Sequence, residues 1–381
     1  MKKMLERFLR LLTSAALLIG MLWLAERCFD TDQLWRRYDE LHPLLLIGAL
    51  LAGVLLARLL MRIGFAAGAL CSGWRLAELS LFSFGLHRDD RDRLRVMFRR
   101  GGGYFLLLVT PPRLDGGSPY RPYTVAGMAL CAVLGAAALL TALLMRRLPE
   151  MLYLYVGALM PLVSAVIAVL PFAGDNAVAG RLRRLGGSVH LRRAVEHYHC
   201  VRAANRRGVS IMALPEEIHQ PYPEEEWMEP LVYGAECNVC SWRLSNGLYE
   251  EAYEVLSKLM THLDRPDFRY AHKEINRLYL NCSGAIAEMM TGRPPCFSER
   301  LNEPNIEMFL GYRGLQERLT LAKYMRELLV THDAAAAERL LTTLNEQLGR
   351  LDESSARGTR RILADAEALA ATHTQEENKH V

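Results

Sequence analysis

Cysteine is scarce in this chain, with eight among 381 residues, at positions 28, 71, 131, 200, 237, 240, 282 and 296. Two of them lie inside apolar runs, which excludes a disulfide-framed secreted scaffold. Beyond residue 176 no apolar run is long enough to span a bilayer. Before it there are four. Charge is also unevenly placed: 20 Lys and Arg face 13 Asp and Glu in residues 1–175, and 26 face 29 in residues 176–381. The positive excess sits beside the apolar runs, so it is no argument for nucleic acid. These deficits exclude a wholly soluble enzyme and a disordered tail. What remains is a basic membrane half and a near-neutral soluble half.

The first run, Leu11 to Ala25, follows Met1-Lys2-Lys3. No small-x-small cleavage site follows it, and Ala25-Glu26-Arg27 before Cys28 is a poor lipoprotein signal, so it reads as an uncleaved helix over about 8–25. The second run, 43–73, contains Arg58 and Arg62 and is longer than one perpendicular crossing needs. His42 sits at its mouth. The third and fourth, 123–145 and 151–173, are free of charge and are separated only by Arg146-Arg147-Leu148-Pro149-Glu150, which predicts a helical hairpin. Residues 26–42 hold three Arg and five acids, residues 74–122 hold nine Arg, and Arg181, Arg183 and Arg184 follow the fourth run. The positive-inside rule then places both termini in the cytosol, in a four-helix membrane domain.

The segment between the second and third runs does not read as a plain loop. Residues 76–84 alternate as one strand, His87 to Arg93 reads as a charged turn, and 94–98 and 104–109 read as further strands. A small β-sheet at the membrane surface, over about 76–110, is expected. Gly101-Gly102-Gly103 lacks the Lys-Ser/Thr of a phosphate-binding loop and opens no helix; it reads as a bend with close backbone approach.

A helix ending in Gly73-Trp74-Arg75, a β-rich region, Gly101-Gly102-Gly103-Tyr104, Pro111-Pro112 and a membrane hairpin together resemble the site-2 protease family of intramembrane zinc metalloproteases. The resemblance covers about residues 43–185. It implies a His-Glu-x-x-His motif on one membrane helix and a later Asp completing the metal site. Alignment on the Gly that ends the helix puts Met61 and Phe65 at the two ligand positions, Arg62 at the general base, and Gly64 at the small residue before the second ligand. Asp175 matches the later Asp, although the family's Asp-Gly order is not kept. Two imidazoles one turn apart and a carboxylate are what the chemistry requires. Methionine is a poor zinc ligand, phenylalanine is none, and an arginine cannot act as a base at neutral pH. The resemblance therefore implies a pseudoprotease with no catalytic residues and no cofactor. An Arg62–Asp175 ion pair in place of the metal, or snorkelling of Arg58 and Arg62 to the headgroups, would accommodate the charge.

In the soluble half, Val189 to Arg206 reads as a helix whose Glu196-His197-Tyr198-His199-Cys200 is a solvated face rather than a metal site, since positions two apart do not share a helical face. Residues 186–228 as a whole read as a linker region, proline-broken and acidic from 214 to 226. Residues 229–372 read as helical, and the tail from 373 as frayed. Leu231 to Leu244, the turn Ser245-Asn246-Gly247 and the helix opened by Leu248-Tyr249-Glu250-Glu251-Ala252 resemble a tetratricopeptide-type hairpin, and Thr331-His332-Asp333 breaks a second pair. No 34-residue period is visible, so the expected domain is an irregular α-helical repeat or a plain bundle. Cys237 and Cys240 form a lone Cys-x-x-Cys; half of a zinc site, completed by Cys200, His197 or Cys282, is weighed against two buried helical thiols.

The fold class expected is thus mainly α: a polytopic membrane domain with a β insertion, then a cytosolic repeat-like domain. Two functions follow. One is a binding or scaffold protein whose partners are the bilayer, a transmembrane-helix client or an active protease, and a cytosolic protein. The other is an active zinc protease with ligands elsewhere; no His-Glu-x-x-His occurs in the chain. A scaffold unrelated to proteases would lack the β-region.

Overall fold

A computed structural model of the chain describes residues 2–29, 43–81, 84–89, 93–98, 105–148, 150–170, 178–207, 209, 211–268, 270, 273–302, 315–351 and 353–379. The protein is mostly helical with one small antiparallel sheet. It divides into two compact units, residues 1–199 and 200–381.

The first unit opens with α1 (Lys2–Cys28) and α2 (Pro43–Cys71). Sheet strands β1 (Arg75–Leu81), β2 (Phe84–Arg88), β3 (Leu94–Phe98) and β4 (Phe105–Thr110) follow. Four helices complete the unit and lead into the second: α3 (Arg121–Leu144), α4 (Met151–Val169), α5 (Val178–Gly187) and α6 (Val189–Arg206). α2, α3 and α4 are long and apolar enough to cross a membrane; in α1 the apolar stretch is only Leu11–Met21. Among the described residues, three of the four expected spans meet that length and apolarity. α1 still docks on α4, where Tyr155 donates to the Met21 carbonyl at 2.6 Å and meets Phe29 edge-on.

Three of the apolar runs end earlier than their hydropathy. α2 stops at Cys71 because Gly73 takes φ +82, letting the Trp74 and Gly73 amides bond the Ala69 and Leu70 carbonyls. α3 closes at Leu144 and α4 at Val169, with Leu170 already extended. Pro161 lies inside α4, at a buried position.

The four strands run antiparallel in the order β3-β2-β1-β4. Leu81 pairs with Phe84, so the run read as one strand over 76–84 reverses into two. Ser83 suits a strand or a turn equally, and alternation alone does not reveal the reversal. His87 and Arg88 belong to β2 rather than to a turn, pairing with Arg95 and Leu94 of β3. Gly101-Gly102-Gly103 and His42 lie outside the described residues. Leu76, Leu107 and Val109 pack with Trp74 on Ala66 and Ala69 of α2, which fixes the sheet to the end of a membrane-length helix.

The second unit contains α7 (Pro230–Ser245), α8 (Tyr249–Asp264), α9 (Lys273–Thr291), α10 (Gln316–Leu329), α11 (Ala334–Gly349) and α12 (Glu353–Lys379). Successive helices pack on each other from α7 to α11, and α12 packs on both α10 and α7. Gly247, at φ +78, makes the α7–α8 turn. Asp333 caps α11 by accepting from the Ala336 amide at 3.0 Å. Where described, the segment expected to be a linker carries short 3₁₀ turns at Ile211–Ala213, Glu216–His219 and Glu224–Glu226, and Ile218, His219, Tyr222 and Trp227 are buried. Its prolines break α-helix, and exposed residues such as Pro215, Glu216, Gln220 and Pro221 alternate with those buried anchors. At the C-terminal end α12 continues to Lys379.

Candidate functional site

Met61, Arg62 and Phe65, the positions matched to the protease motif, lie on α2 where it meets α3. The contact is made backbone to backbone. A Cβ on Gly127 of α3 would stand 2.5 Å from the Met61 carbonyl oxygen and 2.8 Å from the Phe65 ring. A Cβ on Gly64 would meet the Gly127 Cα at 2.5 Å, and one on Gly68 the Pro122 carbonyl at 2.4 Å. Further along α2, a Cβ on Gly53 would reach the Gly157 carbonyl of α4 at 2.4 Å. Small residues at one-turn spacing let membrane helices approach this closely. Gly64 therefore has a packing role of its own. Met61 packs beside Leu60, Cys131 and Ala165, and Phe65 lies 6.0 Å from the Tyr123 ring.

Zinc does not fit these positions. They provide a thioether, a guanidinium and a hydrocarbon ring, and the ring occupies the space against Gly127. Among the described residues no group of three His, Cys, Asp or Glu could hold a metal ion. Asp175, and with it the expected Arg62–Asp175 pair, lies outside the described residues. Arg58 and Arg62 are both exposed on α2.

Just beyond α2, a polar latch fixes the loop that leads into α3. Glu196 of α6 accepts from the Gly116 amide at 2.7 Å and the Ser118 amide at 2.9 Å. Arg192 donates to the Gly116 carbonyl at 2.8 Å and the Leu185 carbonyl at 2.7 Å. Burial pushes the Glu196 carboxyl up, against the opposite pull of those two amides. Trp74 donates to the Pro119 carbonyl at 3.0 Å, stacks on Tyr123 and meets the edge of His199. Glu196, His197 and His199 are 2, 2 and 8% exposed, which corrects the expectation of a solvated face. The helix is polar because its side chains serve a loop eighty residues earlier, a pairing that local periodicity does not carry. Gly116-Gly117 was the available signal: at φ +82, with a Cβ 2.6 Å from the Val189 carbonyl, only glycine fits at 116.

In the second unit, Cys237 and Cys240 are buried on α7 at 6 and 0% exposure. Burial, with the Glu236 carboxylate adding to it, pushes both thiols far above their usual range; Cys282 is pushed up to about 12 by burial. Thiols held protonated in this way are poor nucleophiles. The groups around them are structural. Tyr279 donates to the Cys237 carbonyl at 3.1 Å and shares a hydrogen bond with Ser241. Arg318 of α10 donates to Ser283 at 2.8 Å and to Ser241 and Tyr279, tying α10 to α7 and α9. Glu236 accepts from the Tyr222 amide at 2.7 Å and from Arg243 at 3.3 Å. Glu288 of α9 accepts from the Cys296, Phe297 and Ser298 amides. In both units, then, buried glutamates fasten loops to helices.

No family model, curated protein or solved structure matches the chain.

Proposed function

We propose that the protein is a multi-pass membrane protein resembling site-2 proteases, catalytically inactive, that binds membrane clients and cytosolic partners. The observation that supports this most directly is the Gly127 contact with the Met61 carbonyl and the Phe65 ring: the two ligand positions serve helix packing. The sheet between α2 and α3 adds support, since an unrelated membrane scaffold would have no reason to carry it there. Phe84, Val96 and Phe98 of its outer hairpin are 65, 77 and 65% exposed, which suits the bilayer surface. In this reading α1, docked through Tyr155, is the fourth span, both termini are cytosolic, and the second unit is a tetratricopeptide-like platform for a protein partner.

Zinc content of the detergent-purified protein, together with chelator-sensitive cleavage of a transmembrane substrate, tests the reading. We expect no zinc and no cleavage, in the wild type and in a Cys237→Ser/Cys240→Ser variant alike. Zinc retained by both, with cleavage abolished by chelator, would overturn it in favour of an active metalloprotease. Zinc lost only in the double variant would instead locate a structural metal on α7.

A further inference from the structure

We propose that Arg58 and Arg62 form an intramembrane docking site for a partner transmembrane helix that carries two carboxylates one turn apart. The inference rests on the membrane reading above and names the chemistry of the client. Leu44, Ile47, Leu51 and Leu55 recur every three or four residues along α2, and each is more than half exposed. They form one stripe, and Arg58 and Arg62 continue it on the same face. The stripe ends where the sheet covers Ala66 and Ala69. Two cations thus share an apolar, outward-facing surface directly below the sheet.

Their depth decides what can neutralise them. Gly68 lies against the Pro122 carbonyl, level with Arg121, the charge at which α3 begins. At about 1.5 Å per residue, Arg62 lies about 9 Å below that level and Arg58 about 15 Å below it. The second distance is half of a hydrocarbon core about 30 Å thick. Side chains on a helix tilt toward its N-terminus, which here is away from Arg121 and toward the bilayer centre. Arg62 can approach a headgroup; Arg58 cannot span the distance.

Among the described spans no carboxylate stands at the depth of Arg58. α2, α3 and α4 contain no Asp or Glu, and the two acids of α1, Glu6 and Glu26, stand near its ends. A second copy would bring two more arginines to the face and no carboxylate. Ionisable groups within a membrane pair with one another or line a site, so the complementary group belongs to a different helix, with Asp or Glu facing both guanidinium groups.

The full chain, reconstituted in phosphatidylcholine vesicles, is titrated with a fluorescent Leu/Ala transmembrane peptide carrying two central Asp residues one turn apart. A peptide with Asn at both positions serves as its twin. We expect the Asp peptide to associate about tenfold more tightly, and the preference to vanish in Arg58→Gln/Arg62→Gln. Both arginines are exposed, so the variant should fold; its thermal unfolding is followed in parallel. Equal association of the two peptides overturns the proposal, as does a preference that survives the double substitution. Loss of copurified phosphatidylglycerol from the variant, without any Asp preference, assigns the arginines to lipid headgroups and also overturns it. Alkaline carbonate extraction separates the two readings. A chain released by carbonate breaks the membrane reading itself, whereas an embedded chain indifferent to Asp breaks only the docking site.

Discussion

The two units hold their helices together in opposite ways. In the first, contact is made through the absence of side chains: Gly53, Gly64, Gly68 and Gly127 bring backbones together, while Leu51, Leu55 and Leu140 face outward. In the second, large side chains fill the interior, with Leu244, Leu256, Leu259, Leu263, Leu280 and Ile286 fully buried. The difference follows from the solvent. Water drives leucines together because burying them removes apolar surface from it. Lipid is as apolar as leucine, so helices within it associate by close approach and backbone contact. One glycine crosses this division: Gly284 of α9 is needed because a Cβ would meet the Phe297 ring at 2.5 Å.

The contrast predicts that the two units fail under opposite substitutions. The largest loss is expected from Leu259→Ala, which opens a cavity in the second unit and should cost about 2–5 kcal/mol in chemical denaturation. A cost below about 1 kcal/mol would mean that this interior is loosely packed. In the first unit the damaging change is addition. Gly127→Val drives a side chain into the Met61 carbonyl and the Phe65 ring, with an expected loss of about 1–3 kcal/mol or more, read as a lowered melting temperature in detergent. Retention of wild-type stability by Gly127→Val would break the proposed close packing.

Acid should sharpen the contrast from another side. His219, 4% exposed and stacked on Trp242 at 4.8 Å, is lowered to about 4 by burial, against a smaller opposing pull from the Ile211 and Leu214 carbonyls. The unfolded chain takes up this proton near pH 6.5 and the folded chain only near pH 4. Stability from the neutral ring is therefore complete above about pH 6.5 and falls as pH is lowered toward 4, by up to about 3 kcal/mol. His219→Phe keeps the stack and should flatten this part of the pH profile for the second unit; an unchanged profile would show that another group carries the acid response. The smallest effects are expected from Gly48→Ala and Leu51→Ala. Nothing lies within 4 Å of a Cβ at Gly48, and Leu51 is 60% exposed, so each should stay within about 0.5 kcal/mol of wild type in detergent.

Much of the architecture was legible in advance because it depends on local composition. The long apolar stretches of α2, α3 and α4, the β-rich insertion, and the turns at Gly247 and Asp333 each carry a signal within a few residues. The reversal between β1 and β2 was not legible, since alternation continues across it. The burial of Glu196, His197 and His199 was hidden too, because the groups they meet lie far away in the chain. The Cys237 and Cys240 pattern left metal open; what the structure adds is that both thiols are buried on α7 beside a carboxylate.

The sequence by itself determined that this chain has apolar runs suited to a bilayer, that Met61, Arg62 and Phe65 stand at the positions aligned by resemblance, and that no carboxylate lies within α2, α3 or α4. Those are matters of which residues are present. Only the tertiary structure decided that Gly64 and Gly127 close the space beside those positions, that Glu196 latches the loop before α3, and that Arg58 and Arg62 share an outward face below the sheet. Each of these depends on residues distant in the chain meeting at a fixed separation, and separation in space is set by packing rather than by pattern.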